Sequence, residues 1–369
     1  MATNRRNWLK NIGIGLAGLS LQPLQSLAAD KPLNQLPFIG SDNKPIRLNF
    51  NENPYGPSPL AQKAMMEAIN ISNRYNWGNI QQVINLLAQK NKVSNKQVLM
   101  SAGSTDMLDL VARYAAANPG NMIVANPTFA FWTDAAERLG LKKVEIPLNA
   151  SKKHDLKAMR NAMNKETKLV YICNPNNPTG TVLDYEELVA FVQEVSKQAL
   201  VLVDEAYIEF TNQPSLAPLT TTNKQLIVVK TFSKIYGLAG ARIGYGIAHD
   251  ATIEALGKLN SMNNGNMAAT TIAAALASLQ DNAFIEDVYQ KNMSARNYTL
   301  TELEKLGISC IPSHTNFIYF SLKNYQKDYF ALLKANNIIG TKIYEEKGQW
   351  SRITVGKMEE MQAFIKAIS

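Results

Sequence analysis

Cysteine and histidine are scarce in this chain. Its 369 residues include two cysteines, Cys173 and Cys310, and three histidines, His154, His249 and His314. Two cysteines cannot form a disulfide scaffold, and these two fall in regions expected to belong to different lobes. The histidines have no partners at metal-ligand spacing, so no metal site is expected. Charged residues are also sparse, at 18% against 46% hydrophobic, which excludes an intrinsically disordered chain. Uncharged apolar runs stay well short of the ~20 residues of a membrane span, so stable membrane insertion is not expected. Internal repeats and low-complexity tracts are absent.

Acid is outnumbered, with 38 Lys+Arg against 30 Asp+Glu for a net charge of +8. Part of that excess sits at the N-terminus. Arg5, Arg6 and Lys10 precede or begin an apolar stretch over 12–21, followed by Ser26-Leu27-Ala28. A basic start, a short apolar core and a small-residue exit are the parts of a secretory signal. The paired arginines resemble the twin-arginine export signal, so residues 1–28 are expected to be removed and the protein exported, to a periplasm, or to stay cytoplasmic if the signal does not function. Without residues 1–28 the charge is 35 − 30, or +5. Gly13-Ile-Gly15-Leu-Ala-Gly18 matches a dinucleotide-binding fingerprint, but no strand can precede it in a packed domain, so it carries no function.

Beyond a Pro-rich stretch at 51–59, short apolar runs alternate with helical patterns. The strand candidates are Val98–Met100, Met122–Ala125, Lys143–Ile146, Leu169–Cys173, Leu200–Val203, Ile227–Lys230 and Ile243–Ala248. Most lack polar alternation, as expected of strands covered on both faces. Helical stretches such as Ser104–Ala117 and Tyr185–Lys197 lie between them, which argues for an α/β domain around a mainly parallel sheet. The expected organisation is an N-terminal arm with part of a small domain over 29–70, a large domain over 71–267 and a smaller α+β domain over 268–369.

Four runs at expected strand ends could carry chemistry, because ligands of open α/β sheets bind beyond the carboxyl ends of strands. Thr231-Phe-Ser233-Lys234, followed by Gly237, Gly240 and Arg242, offers an amine that becomes nucleophilic when its pKa is lowered, beside hydroxyl and guanidinium donors suited to phosphate. Asp204 ends an apolar strand, with Tyr207 close behind; an acid there could pair with a cation, ligate a metal or cap a helix. Asn174-Pro-Asn-Asn177-Pro-Thr-Gly180 is a conformationally fixed loop or a plain turn. Ser101-Ala-Gly103-Ser104-Thr105-Asp106 joins a strand to a helix whose first amides form an anion site.

Together these runs resemble the fold-type I, class I/II aminotransferases that use pyridoxal 5′-phosphate, and within them the histidinol-phosphate aminotransferases. The resemblance extends from Asn49-Phe-Asn-Glu-Asn-Pro-Tyr-Gly-Pro to Arg352-Ile-Thr-Val-Gly. It implies a large domain with a seven-stranded sheet, a smaller α+β domain, and transfer of an amino group between an amino acid, or a histidinol-phosphate-like amine, and a 2-oxo acid in two half-reactions. Lys234 matches the lysine that carries the cofactor as a Schiff base and moves the substrate proton. Asp204 matches the partner of the pyridinium nitrogen. Tyr207 and Asn177 match the donors to the phenolic oxygen, and Ser104, Thr105, Ser233 and Arg242 match the phosphate cup. Tyr75 matches a tyrosine that reaches the phosphate from the other subunit of a homodimer. Arg352 matches the grip on the substrate carboxylate, and Tyr55 an aromatic at the substrate entrance, with Asn177 also facing substrate.

Two positions depart from the family pattern. Phe129 stands where a cofactor-stacking tyrosine is usual, and stacking survives the lost hydroxyl. Asn337-Ile-Ile-Gly340-Thr341-Lys342 lacks the arginine that usually holds the substrate phosphate. Alternative activities on the same cofactor are decarboxylation or elimination, and a non-catalytic ligand-binding relative is a further alternative. With Lys234, Arg242 and Arg352 assigned to small ligands, the basic balance does not point to nucleic acid.

Overall fold

The computed structural model describes residues 45–369 apart from 261, 263, 265 and 266. The proposed export signal therefore lies outside the described residues. Residues 45–369 form one compact unit. Strand β1, Ile46–Arg47, opens it. The central strands are β2 (Val98–Ser101), β3 (Gly120–Asn126), β4 (Leu141–Pro147), β5 (Thr167–Cys173), β6 (Leu200–Asp204), β7 (Leu226–Thr231) and β8 (Gly244–Ala248). They form one sheet in the order β2-β8-β7-β6-β5-β3-β4, in which β8 alone runs against its neighbours. All seven coincide with the apolar runs read from sequence, lengthened by one or two residues at some ends, with β8 starting one residue later.

Alternate residues of these strands feed two cores. Val98, Met100, Val170, Ile172, Val201 and Val203 face one core. Leu99, Leu169, Tyr171, Leu200 and Leu202 face the other. A strand buried on both faces has no solvent side to display, which is why its sequence does not alternate between apolar and polar.

The C-terminal part contributes β9 (Ser309–Ile311), β10 (Phe317–Ser321), β11 (Ile338–Ile339), β12 (Ile343–Glu345) and β13 (Trp350–Thr354). Four of them form an antiparallel sheet, β12-β13-β10-β9, over a third core that includes Phe320, Ile353 and Phe364. β1 pairs in parallel with β11, which ties the start of the described chain to this smaller layer. Two helices, Ala269–Gln280 and Asn282–Lys305, follow the large sheet, divided at Asp281, whose side chain caps the second. The first buries Ile272, Ala274 and Ala275 in the core of the large sheet. The second spans both layers, with Val288 in the large core and Ala295 and Leu303 in the small one. Helix Pro59–Ala68 packs on Ala269–Gln280. Among the described residues no helix is long and apolar enough to cross a membrane.

Candidate active site

The carboxyl ends of β2, β5, β6 and β7 share one edge of the large sheet and open on a cavity of about 680 Å³. Asp204, the last residue of β6, is buried there. Its Oδ2 accepts from the Tyr171 hydroxyl at 3.0 Å and its Oδ1 from the Ala206 N–H at 3.1 Å. Desolvation raises it to about 6, against those hydrogen bonds and the attraction of Lys234.

Lys234 lies three residues beyond the neighbouring strand β7. The turn between is fixed by the Thr231 hydroxyl, which donates to Ser233 Oγ at 2.9 Å and accepts from the Ser233 N–H at 3.1 Å. Gly237 then passes so close to Gly56 that a Cβ would meet the Gly56 carbonyl oxygen at 2.0 Å. Lys234 Nζ opens on the cavity, donates to the Phe50 carbonyl at 3.2 Å and lies 5.5 Å from the Tyr207 ring centre. Desolvation and then the Arg352 charge lower it to about 8. An amine with that pKa is about one-tenth unprotonated at pH 7, far more than an ordinary lysine, which favours work as a nucleophile or proton carrier.

On the small layer Arg352, in β13, is buried and aimed at the same cavity. One guanidinium nitrogen donates to Asn177 Oδ1 at 2.5 Å and another to the Asn49 carbonyl at 2.8 Å. Its cationic carbon lies 5.3 Å from each of the Phe317 and Tyr344 rings. Such aromatic contact holds a guanidinium in place while leaving donors for an anion. Arg352 Nε is buried without a hydrogen-bond partner. Because Asn177 Oδ1 is taken by Arg352, its Nδ2 remains as a donor.

The fourth strand end is an anion cradle. Gly103, at φ +89°, precedes helix Ser104–Ala115, and no side chain caps the first-turn amides. Arg242, at φ +55°, lays its guanidinium across this start, donating to the carbonyls of Ala239 at 2.9 Å and Ala102 at 3.4 Å. A Cβ at Gly103 would meet Arg242 Nη2 at 2.1 Å, so only glycine admits this approach. Ser104, Thr105, Ser233 and Arg242 all line the cavity. Free helix-start amides beside a guanidinium and hydroxyls suit a phosphate. A buried carboxylate, a lysine of lowered pKa and a phosphate cradle fit pyridoxal phosphate at its nitrogen, aldehyde and phosphate ends.

Phe129 lines the cavity on the β3 side, with its ring 6.2 Å from Phe131. Two expected site residues lie elsewhere. Tyr75 is 78% exposed and stacks on Trp77, outside the cavity of its own chain. Tyr55 is also outside the cavity of its own chain: its ring lies under Lys291 Nζ at 5.1 Å, among Phe210, Val288 and Asn292. Lys342 is exposed at the rim, 5.8 Å from the Tyr344 ring.

The sequence reading missed the reach of 49–51 across the cavity. Asn49 and Phe50 accept from Arg352 and Lys234, and Asn51 Nδ2 donates to the Tyr207 hydroxyl at 3.0 Å. The Asn-Glu-Asn-Pro run was visible, but nothing local says that it contacts residues 156 and 303 positions away. Trp132 is core, packed on Tyr171 at 4.6 Å. Glu205 is a structural partner, accepting from Ser215 Oγ and the Leu216 N–H. Both cysteines are free, and the described residues contain no cluster suited to a metal.

Comparison with known proteins agrees with this arrangement. The family model described as aminotransferase class I and II matches residues 43–368. A histidinol-phosphate aminotransferase of Moorella thermoacetica is 33% identical over 356 residues, covering 95% of this chain and 90% of the relative. A histidinol-phosphate aminotransferase 1 of Dechloromonas aromatica is 36% identical over 328 residues, covering 88% and 89%. The crystal structure of histidinol-phosphate aminotransferase from Sinorhizobium meliloti with pyridoxal 5′-phosphate superposes with a TM-score of 0.81 at 25% identity, covering 94% of this chain and 98% of that one.

Proposed function

The chain belongs to the class I and II aminotransferase family and is a pyridoxal-phosphate-dependent transaminase; on that premise we propose a role for each cavity residue. Pyridoxal phosphate, when bound, supplies an aldehyde for the substrate amine and a ring that disperses the negative charge developing at Cα. Lys234 would hold the aldehyde end and, as a free amine, carry the proton to and from the substrate Cα. Asp204 would keep the ring nitrogen protonated, a favourable exchange for a carboxylate that burial has raised to about 6. Tyr207 and Asn177 would donate to the phenolic oxygen. Ser104, Thr105, Ser233 and Arg242 would hold the phosphate, and Phe129 would cover the ring face.

Arg352 would pair with the carboxylate of the amino acid or 2-oxo acid, fixing which Cα bond stands across the ring plane. The observation that carries this assignment is the guanidinium held by Asn177, Asn49 and two aromatic rings, with Nε unpartnered. Lys342 at the rim would add a second, solvated contact for an acidic group. Dicarboxylic amino acids and histidinol phosphate, the substrate named in the relatives, are therefore the first amines to try.

Two assignments concern the whole molecule. A homodimer is proposed in which the partner's Tyr75 completes the phosphate site; the support is an exposed aromatic segment at 75–77 that does not reach its own cavity. Export through a twin-arginine signal is proposed from Arg5-Arg6, the apolar stretch and Ser26-Leu27-Ala28. Replacing both arginines by lysine should trap the protein in the cytoplasm, and unchanged fractionation would refute it.

The functional test is spectroscopic. Borohydride reduction should attach the cofactor to the peptide holding Lys234. A donor panel should discharge the visible absorbance, and a 2-oxo acid should restore it. Release of carbon dioxide without need of a 2-oxo acid would assign a decarboxylase instead.

A further inference from the structure

Asn51 is 1% exposed and has a left-handed backbone, φ +54°, which asparagine tolerates better than most residues. All of its polar groups are engaged. Its N–H donates to Thr354 Oγ1 at 2.9 Å, and the Thr354 hydroxyl donates back to Asn51 Oδ1 at 3.3 Å. Its carbonyl accepts from Asn316 Nδ2 at 3.0 Å. Its Nδ2 donates to the Tyr207 hydroxyl at 3.0 Å.

The direction of these bonds follows from the donor inventory. A threonine hydroxyl has one hydrogen. With a lone pair of Thr354 taken by the Asn51 N–H, that hydrogen is free for Oδ1, which orients the amide so that Nδ2 meets Tyr207. The Tyr207 hydroxyl also has one hydrogen, and since it accepts from Asn51 that hydrogen points away from Asn51. The charged and titratable groups around it are Arg352, Cys173, Asp204 and Lys234. Arg352 is a cation without an acceptor, Asp204 is already bonded to Tyr171 and Ala206, and the Cys173 thiol is directed to the Pro175 carbonyl.

We propose that Asn51 is a positioning residue for transamination: by occupying the acceptor side of the Tyr207 hydroxyl, it turns the hydroxyl hydrogen into the cavity and makes Tyr207 an obligate donor to the cofactor's phenolic oxygen. The proposal rests on Tyr207 being that donor. Donation stabilises the anionic oxygen and lowers the pH midpoint at which the bound cofactor's absorbance changes.

The experiment is an absorbance titration of the holoenzyme, with the cofactor dissociation constant measured alongside. Tyr207→Phe should raise the midpoint by about one pH unit or more. Thr354→Val, which leaves the amide free to turn its oxygen to Tyr207, should raise it in the Tyr207 enzyme and leave it unmoved in the Tyr207→Phe background. Asn51→Asp, nearly isosteric and able to accept the hydroxyl hydrogen, should raise it more with Tyr207 present than in the Tyr207→Phe background; the difference removes the effect of the added charge. Equal shifts in both backgrounds for both substitutions would overturn the role of Asn51 while leaving that of Tyr207. No shift in Tyr207→Phe itself would overturn both.

Discussion

Asp204 ends one strand and Lys234 follows its parallel neighbour, and burial draws their acidities together, Asp204 up to about 6 and Lys234 down to about 8. Desolvation is the first cause for both, and their mutual attraction offsets it only in part. Each charge is thus held at a cost in the cofactor-free chain, as is common where a site is arranged for a ligand rather than for stability.

The stability consequence has a definite sign. In the cofactor-free folded state Asp204 keeps its proton up to about 6, whereas the unfolded chain releases it near the ordinary carboxyl value of 3.8. The folded state therefore binds more protons between these values, so the contribution of this group falls as pH rises through that window. The full difference is about 3 kcal/mol. Asp204→Asn should stabilise the cofactor-free protein at pH 7 by up to that amount and flatten its dependence from about pH 4 to 6. The same variant should lose roughly 10²–10³-fold in turnover, the usual scale for removing one electrostatic stabiliser of developing charge. Denaturant unfolding at both ends of the window, without cofactor, checks the first part; a variant no more stable than wild type at pH 7 would refute it.

Arg352→Lys keeps the charge but loses the fork that Asn177, Asn49 and the two rings hold in place. The expected loss is about 1.5–3 kcal/mol of carboxylate binding, or roughly ten- to a hundredfold in KM. Steady-state kinetics with a carboxylate-bearing amino acid and with an amine lacking that group separate the outcomes. If both substrates suffer equally, Arg352 is not the carboxylate grip.

Behind the site, Lys230 Nζ is buried 3.1 Å from Glu209 and 3.8 Å from Glu205. Lys230→Met would leave two interior carboxylates facing each other without their cation, which typically costs about 3–5 kcal/mol. Adding Glu209→Gln should recover part of that loss. Chemical unfolding of the two single variants and the double variant gives the coupling; strict additivity would mean the ion pair does not contribute as a unit.

The sheet was legible because its strands are covered on both faces and read as unbroken apolar runs, and Lys234, Asp204, Asn177 and Arg242 were legible because each follows such a strand or the turn after it. The clamp around Arg352 was not: Phe317 and Tyr344 look like ordinary strand aromatics, and only the β10–β13 and β12–β13 pairings bring them to the guanidinium. The reach of Asn51 to Tyr207 and Thr354 was hidden for the same reason, since it joins three parts of the chain far apart in sequence.

Tyr75 lends itself to a test that does not depend on measuring assembly directly. If the partner's Tyr75 completes each phosphate site, then Tyr75→Ala and Lys234→Ala damage different subunits' contributions to the same cavity. Homodimers of either variant should be nearly inactive. Unfolding and refolding an equal mixture should produce mixed dimers in which one cavity carries both defects and the other carries none. With half of all dimers mixed and one of two cavities intact in each, activity should return to about a quarter of wild type, the random-pairing value for a two-fold assembly. Titrating one variant against a fixed amount of the other should trace that statistical curve. Recovery that never exceeds the sum of the two variants would mean that Tyr75 serves its own subunit or no cavity at all, and its 78% exposure would then need another explanation.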